Sequence, residues 1–183
     1  MIIPAIPYCP VAEGANPEPG RDYGYAINCF FDRLREDDWG FFFDHDCYIS
    51  TRFWFRALER AVRMKPDAGL FTVMRYPAVS SWSAPKEARH RNYDIRYHRK
   101  LGEEIAKKYA GLLQDVTDFE SLESGCPTAG IFLLSKRVWA EVGGFKSGFK
   151  DERIDYDMHC KVRATGRRCW LIRDVYFFHA KGL

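Results

Sequence analysis

The sequence predicts an α/β fold, a mixed sheet flanked by helices, and three observations carry that expectation. Short apolar runs suited to buried strands, such as Trp39-Gly40-Phe41-Phe42-Phe43 and Ile131-Phe132-Leu133-Leu134, alternate with stretches of helical period. The first run stops abruptly at Asp44-His45-Asp46, so a buried strand delivers two carboxylates to its C-terminal end. That end is where open α/β sheets bind ligands. The chain has 183 residues, 46% hydrophobic and 16% aromatic, which suits one domain over 1–183 with a sizeable core. No internal repeat and no second-domain boundary is visible.

Residues 2–8 form an apolar run broken by prolines, an edge-like first strand that leads into a Pro-, Gly- and Ala-rich loop over 9–21. From Asp22 onward, Tyr23, Ala26, Ile27, Phe30, Phe31 and Leu34 recur at helical spacing and define one buried face, with Arg33, Arg35 and Glu36 opposite. Asp37-Asp38 turns the chain into the strand at 39–43. After the carboxylates, Ser50-Thr51 offers a helix N-cap, and Phe53, Trp54, Leu58, Ala61 and Val62 form the core stripe of a helix ending before Pro66. Residues 69–76 read as a strand. A polar, arginine-rich stretch over 77–100 follows, with Trp82, Tyr93 and Tyr97 interleaved, and then an exposed helix over 101–113.

A turn at Gly125-Cys126-Pro127-Thr128-Ala129-Gly130 leads into the strand at 131–134. Ser135 then caps a helix over 136–142, closed by Gly143-Gly144. Asp155 or Asp157 starts a last helix with Met158 and Val162 inward and Gly166 as its stop. Two short strands, 169–172 and 175–178, end the pattern.

The net charge of +3 is too small to argue for a nucleic acid as the main partner, and none is expected. Residues 1–4 lack the basic start and long apolar core of a signal peptide, and no apolar stretch is long enough to span a bilayer. The six cysteines are scattered without a C-x-x-C pair, so reduced thiols in a cytoplasmic protein are expected rather than disulfides or zinc.

An Asp-x-Asp pair at a strand end offers hard oxygen ligands to Mg²⁺ or Mn²⁺, which can clamp a diphosphate; the same pair can equally solvate a strand-to-helix turn. Three features further along bear on the choice: the glycine turn near Gly130, the acidic cluster at 151–157 and His179. In order and local wording, this chain resembles a GT-A glycosyltransferase of the family 2 group. The resembling pieces are Phe-Phe-Phe-Asp-His-Asp, then Ala-Gly-Ile-Phe-Leu-Leu-Ser-Lys-Arg-Val-Trp-Ala-Glu-Val-Gly-Gly-Phe, then Ile-Asp-Tyr-Asp-Met-His-Cys-Lys-Val-Arg-Ala-Thr-Gly-Arg-Arg. The last resembles the family's Glu-Asp-x-Asp-Leu helix start. Gly24-Tyr25-Ala26-Ile27-Asn28 resembles the helix start that precedes the metal motif.

The resemblance implies a single-domain GT-A fold, Rossmann-like, and a metal-dependent transfer from a nucleoside-diphosphate sugar to an acceptor hydroxyl, with inversion. It implies an enzyme of the hexosyl- or N-acetylhexosaminyltransferase class. A UDP-sugar is the expected donor, and a saccharide, lipid-linked or other hydroxyl compound the acceptor. By the same match Asp44, Asp46 and His179 hold Mn²⁺ or Mg²⁺, whereas His45, between the acids, points away. Asp155 matches the second acid of the family's Glu-Asp pair and is the expected base. Asp157 orients the site or caps its helix, and Glu152 competes for the base role because Ile154 stands where the family has Glu. Tyr8, Arg21, Asn28 and Asp44 are the expected donor-binding residues. Only 43 residues precede Asp44, so the nucleotide-binding half is abbreviated relative to the family. The cation-rich stretch 77–100 falls where this fold carries an acceptor loop.

Two other readings compete. A metal-dependent nuclease or nucleotidyl transferase would also cluster acids around Mg²⁺. A non-catalytic nucleotide- or carbohydrate-binding module on the same scaffold would keep metal binding without turnover.

Overall fold

The computed structural model describes residues 1–6, 23–78, 82–88, 92–118, 130–146 and 154–180. Its elements in chain order are β1 (Ile2–Ala5), α1 (Tyr23–Asp32), β2 (Trp39–Phe43), β3 (Cys47–Ile49), α2 (Trp54–Met64) and β4 (Leu70–Tyr76). There follow α3 (Ile95–Lys108), β5 (Leu113–Asp115), β6 (Ile131–Ser135), α4 (Lys136–Glu141), α5 (Ile154–Ala164) and β7 (Cys169–His179). The strands form one mixed sheet in the order β1-β2-β6-β4-β7-β3, with β5 also paired to β7. The expected α/β class with helices flanking a mixed sheet is thus what the chain adopts.

Direction matters more than order here. β1 is parallel to β2, and β4 is parallel to β7. β6 runs antiparallel between β2 and β4. Strands β2, β4 and β7 therefore all point the same way, and β6 begins where they end. One edge of the sheet collects the residues after Phe43, those at Tyr76, those at His179 and those just before Ile131.

Alternation along the strands divides the core in two. Phe42, Leu70, Met74, Phe132 and Leu134 face Ile27 and Phe31 of α1, Leu101 and Ile105 of α3, Val138 of α4, and Met158 and Val162 of α5. Phe41, Phe43, Phe71, Val73, Ile131 and Leu133 face Ala57, Leu58 and Ala61 of α2. All five residues of β2 are buried, as a strand covered on both faces requires.

Several local expectations are corrected by the fold. Ser50 and Thr51 do not cap α2, whose N-cap position is Phe53 without a side-chain bond. They serve the sheet instead: Ser50 N donates to Tyr176 O at 3.1 Å, and Thr51 Oγ1 accepts from Tyr176 N at 2.9 Å. The helix expected over 101–113 is α3, six residues earlier. Asp94 caps it by accepting from Arg96 N, and its buried face is His98, Leu101, Gly102 and Ile105. A histidine and a glycine hide that face from a hydrophobicity pattern. Gly102 is there for space, since an added Cβ would lie 2.6 Å from the Ser50 carbonyl carbon. His98 is no exposed loop cation. Its ring stacks on Phe178 at 3.8 Å, Nδ1 meets the Tyr176 hydroxyl at 2.7 Å, and Nε2 meets Asn92 O at 2.6 Å. Arg89, His90 and Arg91 of the expected acceptor stretch lie outside the described residues.

The two final strands are one, β7, eleven residues long. Its pairing with β4 shifts register between Val73 and Met74, which places Arg173, Asp174 and Val175 at an irregularity. Arg60 of α2 forms an ion pair with Asp174 there, and Gly111 N donates to the same carboxylate at 2.8 Å. The three-residue strands β3 and β5 carry too little periodicity to be seen in advance, and both exist by pairing with β7. Other expectations hold. Ser135 Oγ accepts from Val138 N at 3.1 Å as the cap of α4, and Gly166, at φ +79°, ends α5. Among the described residues no helix is long and apolar enough to cross a membrane.

Candidate metal centre

The shared edge of β2, β4 and β7 brings together four side chains of metal-ligating type. Asp44 follows β2 directly, and Cys47 N donates to Asp44 O at 3.1 Å, closing a turn that returns the chain as β3. β3 then pairs antiparallel with the end of β7, so that Cys47 lies opposite His179. Ala180 N donates to Asp46 O at 2.9 Å and fixes the other side of the turn. The result places a carboxylate oxygen of each of Asp44 and Asp46, Cys47 Sγ and a ring nitrogen of His179 all within 4.8 Å of one another.

His179 is 7% exposed, and its Nε2 lies 2.8 Å from Asp46 Oδ1 and 3.6 Å from Asp44 Oδ2. The three expected metal residues therefore converge, although 133 positions separate Asp46 from His179. His45 is exposed and outside the cluster, as expected. Two carboxylates and an imidazole are a donor set that suits a divalent ion of the Mn²⁺ or Mg²⁺ kind. Burial and the neighbouring Asp44 push the Cys47 thiol up to about 12, so in this setting it is a protonated neighbour of the acids.

Gly130, just before β6, closes the site from the side. At φ +80° it occupies the left-handed region, and a Cβ there would sit 2.6 Å from Asp44 Cγ and overlap its oxygen. Its amide donates to Asp155 Oδ2 at 2.5 Å. Gly130 thus touches the metal motif with one face and the candidate base with its N–H. Asp155, second residue of α5, is 9% exposed; burial raises its carboxyl to about 6, against the lowering effects of the Gly130 amide and of Arg75.

Arg75, near the end of β4, is a buried cation beside the candidate site that the sequence reading missed. It is 5% exposed, and its Nε donates to Pro77 O at 2.9 Å. Burial lowers its pKa, while Cys47, Asp44, Asp155 and Asp46 act to raise it. It remains a fixed cation among three carboxylates. The signal was present as the one charged residue in Leu-Phe-Thr-Val-Met-Arg-Tyr. Cys47 was missed for a different reason: its nearness to His179 depends on a strand pairing that sequence does not announce.

The remaining expected site residues divide. Asp157 is inside α5 and so is not its cap. It pairs with Lys161 at 3.0 Å, and Lys161 also donates to Gly144 O at 2.9 Å, tying the helix to the turn after α4. Asn28 carries a structural duty that the motif did not suggest. Its Oδ1 accepts from Phe145 N at 2.8 Å and Trp139 Nε1 at 2.9 Å, and its Nδ2 donates to Phe145 O at 2.8 Å. Tyr8, Arg21 and Glu152 lie outside the described residues.

One more buried group lies close by in sequence. His159, a turn beyond Asp155 on α5, is 2% exposed and its Nε2 has no hydrogen-bond partner; burial, with help from Arg163, lowers it to about 4. A cavity of about 510 Å³ opens elsewhere, lined by Thr117, Cys160, Arg163, Arg167 and Arg168. Its arginines are paired with Asp115, Asp118 and Glu141, and it holds none of the cluster described above.

No family model matches the chain, and no curated protein matches it.

Proposed function

We propose that this chain is a metal-dependent glycosyltransferase of GT-A type, moving a sugar from a nucleoside-diphosphate donor to an acceptor hydroxyl. The observation that carries the reading is the meeting of Asp44, Asp46 and His179 at the ligand-binding edge of the sheet, with the buried acid Asp155 joined to them through Gly130. A divalent ion held by Asp44, Asp46 and His179 would supply the Lewis acidity that a departing diphosphate needs.

The chain's own residues supply the rest. Asp155 titrates near 6, so close to neutral pH it exists in both forms and can take a proton from an acceptor hydroxyl. The Gly130 amide stabilises its ionised form and holds the carboxylate in one orientation. Arg75 contributes a fixed positive charge beside the acids, which favours an anionic donor. Asp157 and Lys161 hold α5 against the Gly144 turn and thereby set where Asp155 stands. The donor is expected to be a UDP-sugar, and the acceptor a saccharide or lipid-linked hydroxyl compound.

The test is thermal stability against nucleoside diphosphates and nucleotide sugars, with and without Mn²⁺. A ligand at 100-fold its dissociation constant adds about 2.7 kcal/mol to the native state. For a chain of this size that raises the melting temperature by roughly 5–10 °C. Stabilisation by one nucleotide family only when Mn²⁺ is present supports the reading, and transfer from that donor completes it. No stabilisation by any of them, with or without Mn²⁺, removes the transferase assignment.

A further inference from the structure

Two carboxylates and a histidine account for three of the four donors that the sheet edge assembles. The fourth is a sulfur. Cys47 sits directly opposite His179 in the antiparallel pair of β3 and β7, and directly opposed residues place their side chains on the same face. Its Sγ shares the 4.8 Å cluster with one ligating atom from each of Asp44, Asp46 and His179. Among the described residues no other group of histidine, cysteine and acidic side chains converges in this way.

The backbone on both sides of the sulfur is fixed before any ligand arrives. Cys47 N is bonded to Asp44 O within the turn. Ala180 N to Asp46 O and Ser50 N to Tyr176 O flank the β3–β7 pairing, so β3 cannot drift from β7 without breaking both of these cross-links. A four-coordinate ion with bonds of about 2.0–2.3 Å needs donors roughly 3.3–3.8 Å apart. The His179–Asp44 separation of 3.6 Å already falls in that range, and the His179–Asp46 separation of 2.8 Å lies just below it. With every donor of the cluster within 4.8 Å of the sulfur, shifts of about an ångström or less would seat it with the others.

We propose that Cys47 is a metal ligand, making this centre an Asp44–Asp46–Cys47–His179 site that prefers a thiophilic divalent ion, Zn²⁺ or Co²⁺, over Mg²⁺. The inference rests on the reading of Asp44, Asp46 and His179 as a metal centre, and adds to it a fourth ligand and a preference. Thiolate is a soft donor that Mg²⁺ does not favour, whereas borderline ions accept sulfur, nitrogen and oxygen together. On binding, the sulfur–metal bond replaces the Sγ–H bond and the proton leaves to solvent, with no change of oxidation state. Arg75, a buried cation that interacts with Asp44 and Asp46, offsets part of the ligand charge.

Co²⁺ titration of the intact chain, followed by absorption, reads the ligand directly. A sulfur ligand gives an intense sulfur-to-cobalt charge-transfer band in the near ultraviolet that oxygen and nitrogen donors do not. The expected result is that band in the wild type at one equivalent of Co²⁺, its loss in Cys47→Ser, and a fall of at least about tenfold in Zn²⁺ affinity with Mg²⁺ affinity unchanged. Circular dichroism and thermal melting of Cys47→Ser check that the variant is folded, and should it not fold, Cys47→Ala takes its place. Co²⁺ binding without a charge-transfer band overturns the ligand role of Cys47. So does a band that persists in Cys47→Ser, since it then arises from one of the other five cysteines. Either result, with binding still abolished by Asp46→Ala, leaves the metal centre of the proposed function standing. Failure of the wild type to bind Co²⁺, Zn²⁺ or Mn²⁺ at all removes both.

Discussion

Replacing Asp155 by Asn separates the two demands placed on that residue. Its carboxyl is 9% exposed and titrates at about 6 instead of 3.8, because burial disfavours the charged form more than Gly130 and Arg75 favour it. The sign follows from proton counting. Between pH 3.8 and 6 the folded chain holds a proton on Asp155 that the unfolded chain has released, so unfolding releases protons and stability falls as pH rises. The loss is complete above the folded value. A shift of about two units is worth about 3 kcal/mol, given 1.36 kcal/mol per unit. Asn cannot ionise, and its Oδ1 can still accept from the Gly130 amide.

Asp155→Asn is therefore expected to match the wild type near pH 4 and to be more stable by about 2–3 kcal/mol at pH 8. With a urea m-value of about 2 kcal/mol/M, that is a midpoint shift of roughly 1–1.5 M. His159 titrates in the opposite sense across nearly the same window, so the wild-type profile alone is flattened and the difference between the two proteins is the informative quantity. Urea unfolding followed through the five tryptophans at several pH values measures it, alongside transfer activity, which should fall by orders of magnitude. A variant less stable than wild type at pH 8, or a difference that does not change with pH, would refute the reasoning. It would mean that Arg75 and Gly130 outweigh burial and that Asp155 is an ordinary paired carboxylate.

Gly130→Ala should weaken metal binding at least about tenfold, measured by Mn²⁺ titration, because the methyl group takes the space of Asp44 Oδ2; the left-handed backbone adds about 1–2 kcal/mol of destabilisation. His159 is lowered from 6.5 to about 4, so the unfolded chain binds the extra proton in that window; its contribution is fully present above 6.5 and lost as pH falls toward 4. His159→Leu should remove about 3 kcal/mol of acid sensitivity, visible as a shallower fall of urea midpoint between pH 6.5 and 4. Asn28→Ala leaves Phe145 N, Phe145 O and Trp139 Nε1 without their partners and should cost about 2–4 kcal/mol in urea unfolding at neutral pH. Its metal affinity should be unchanged, since Asn28 touches none of the four cluster residues.

How much was legible follows the range of each interaction. The strand Trp39–Phe43 and the cap Ser135 were readable because five consecutive apolar residues and one hydroxyl three residues from its partner are local signals. Asp44 and Asp46 were readable because a strand end and its acids are contiguous. The helix over Ile95–Lys108 was misplaced because its inward face includes His98 and Gly102. One is buried in a stack with Phe178, and the other is kept small by the Ser50 backbone. Neither reason exists until α3 is packed.

The sequence by itself determined the α/β class, most of the buried strands, and the supply of acids at the end of β2. Period and contiguity are properties of neighbouring residues, so one strand of text suffices to read them. Only the tertiary structure decided that β3 pairs with the far end of β7, bringing Cys47 and His179 to Asp46, and that Gly130 stands between Asp44 and Asp155. Those contacts join positions 25 to 133 residues apart, and the buried cation Arg75 gains its meaning from them. Burial and neighbouring charge, which set how Asp155, His159 and Cys47 titrate, are likewise properties of the packed chain.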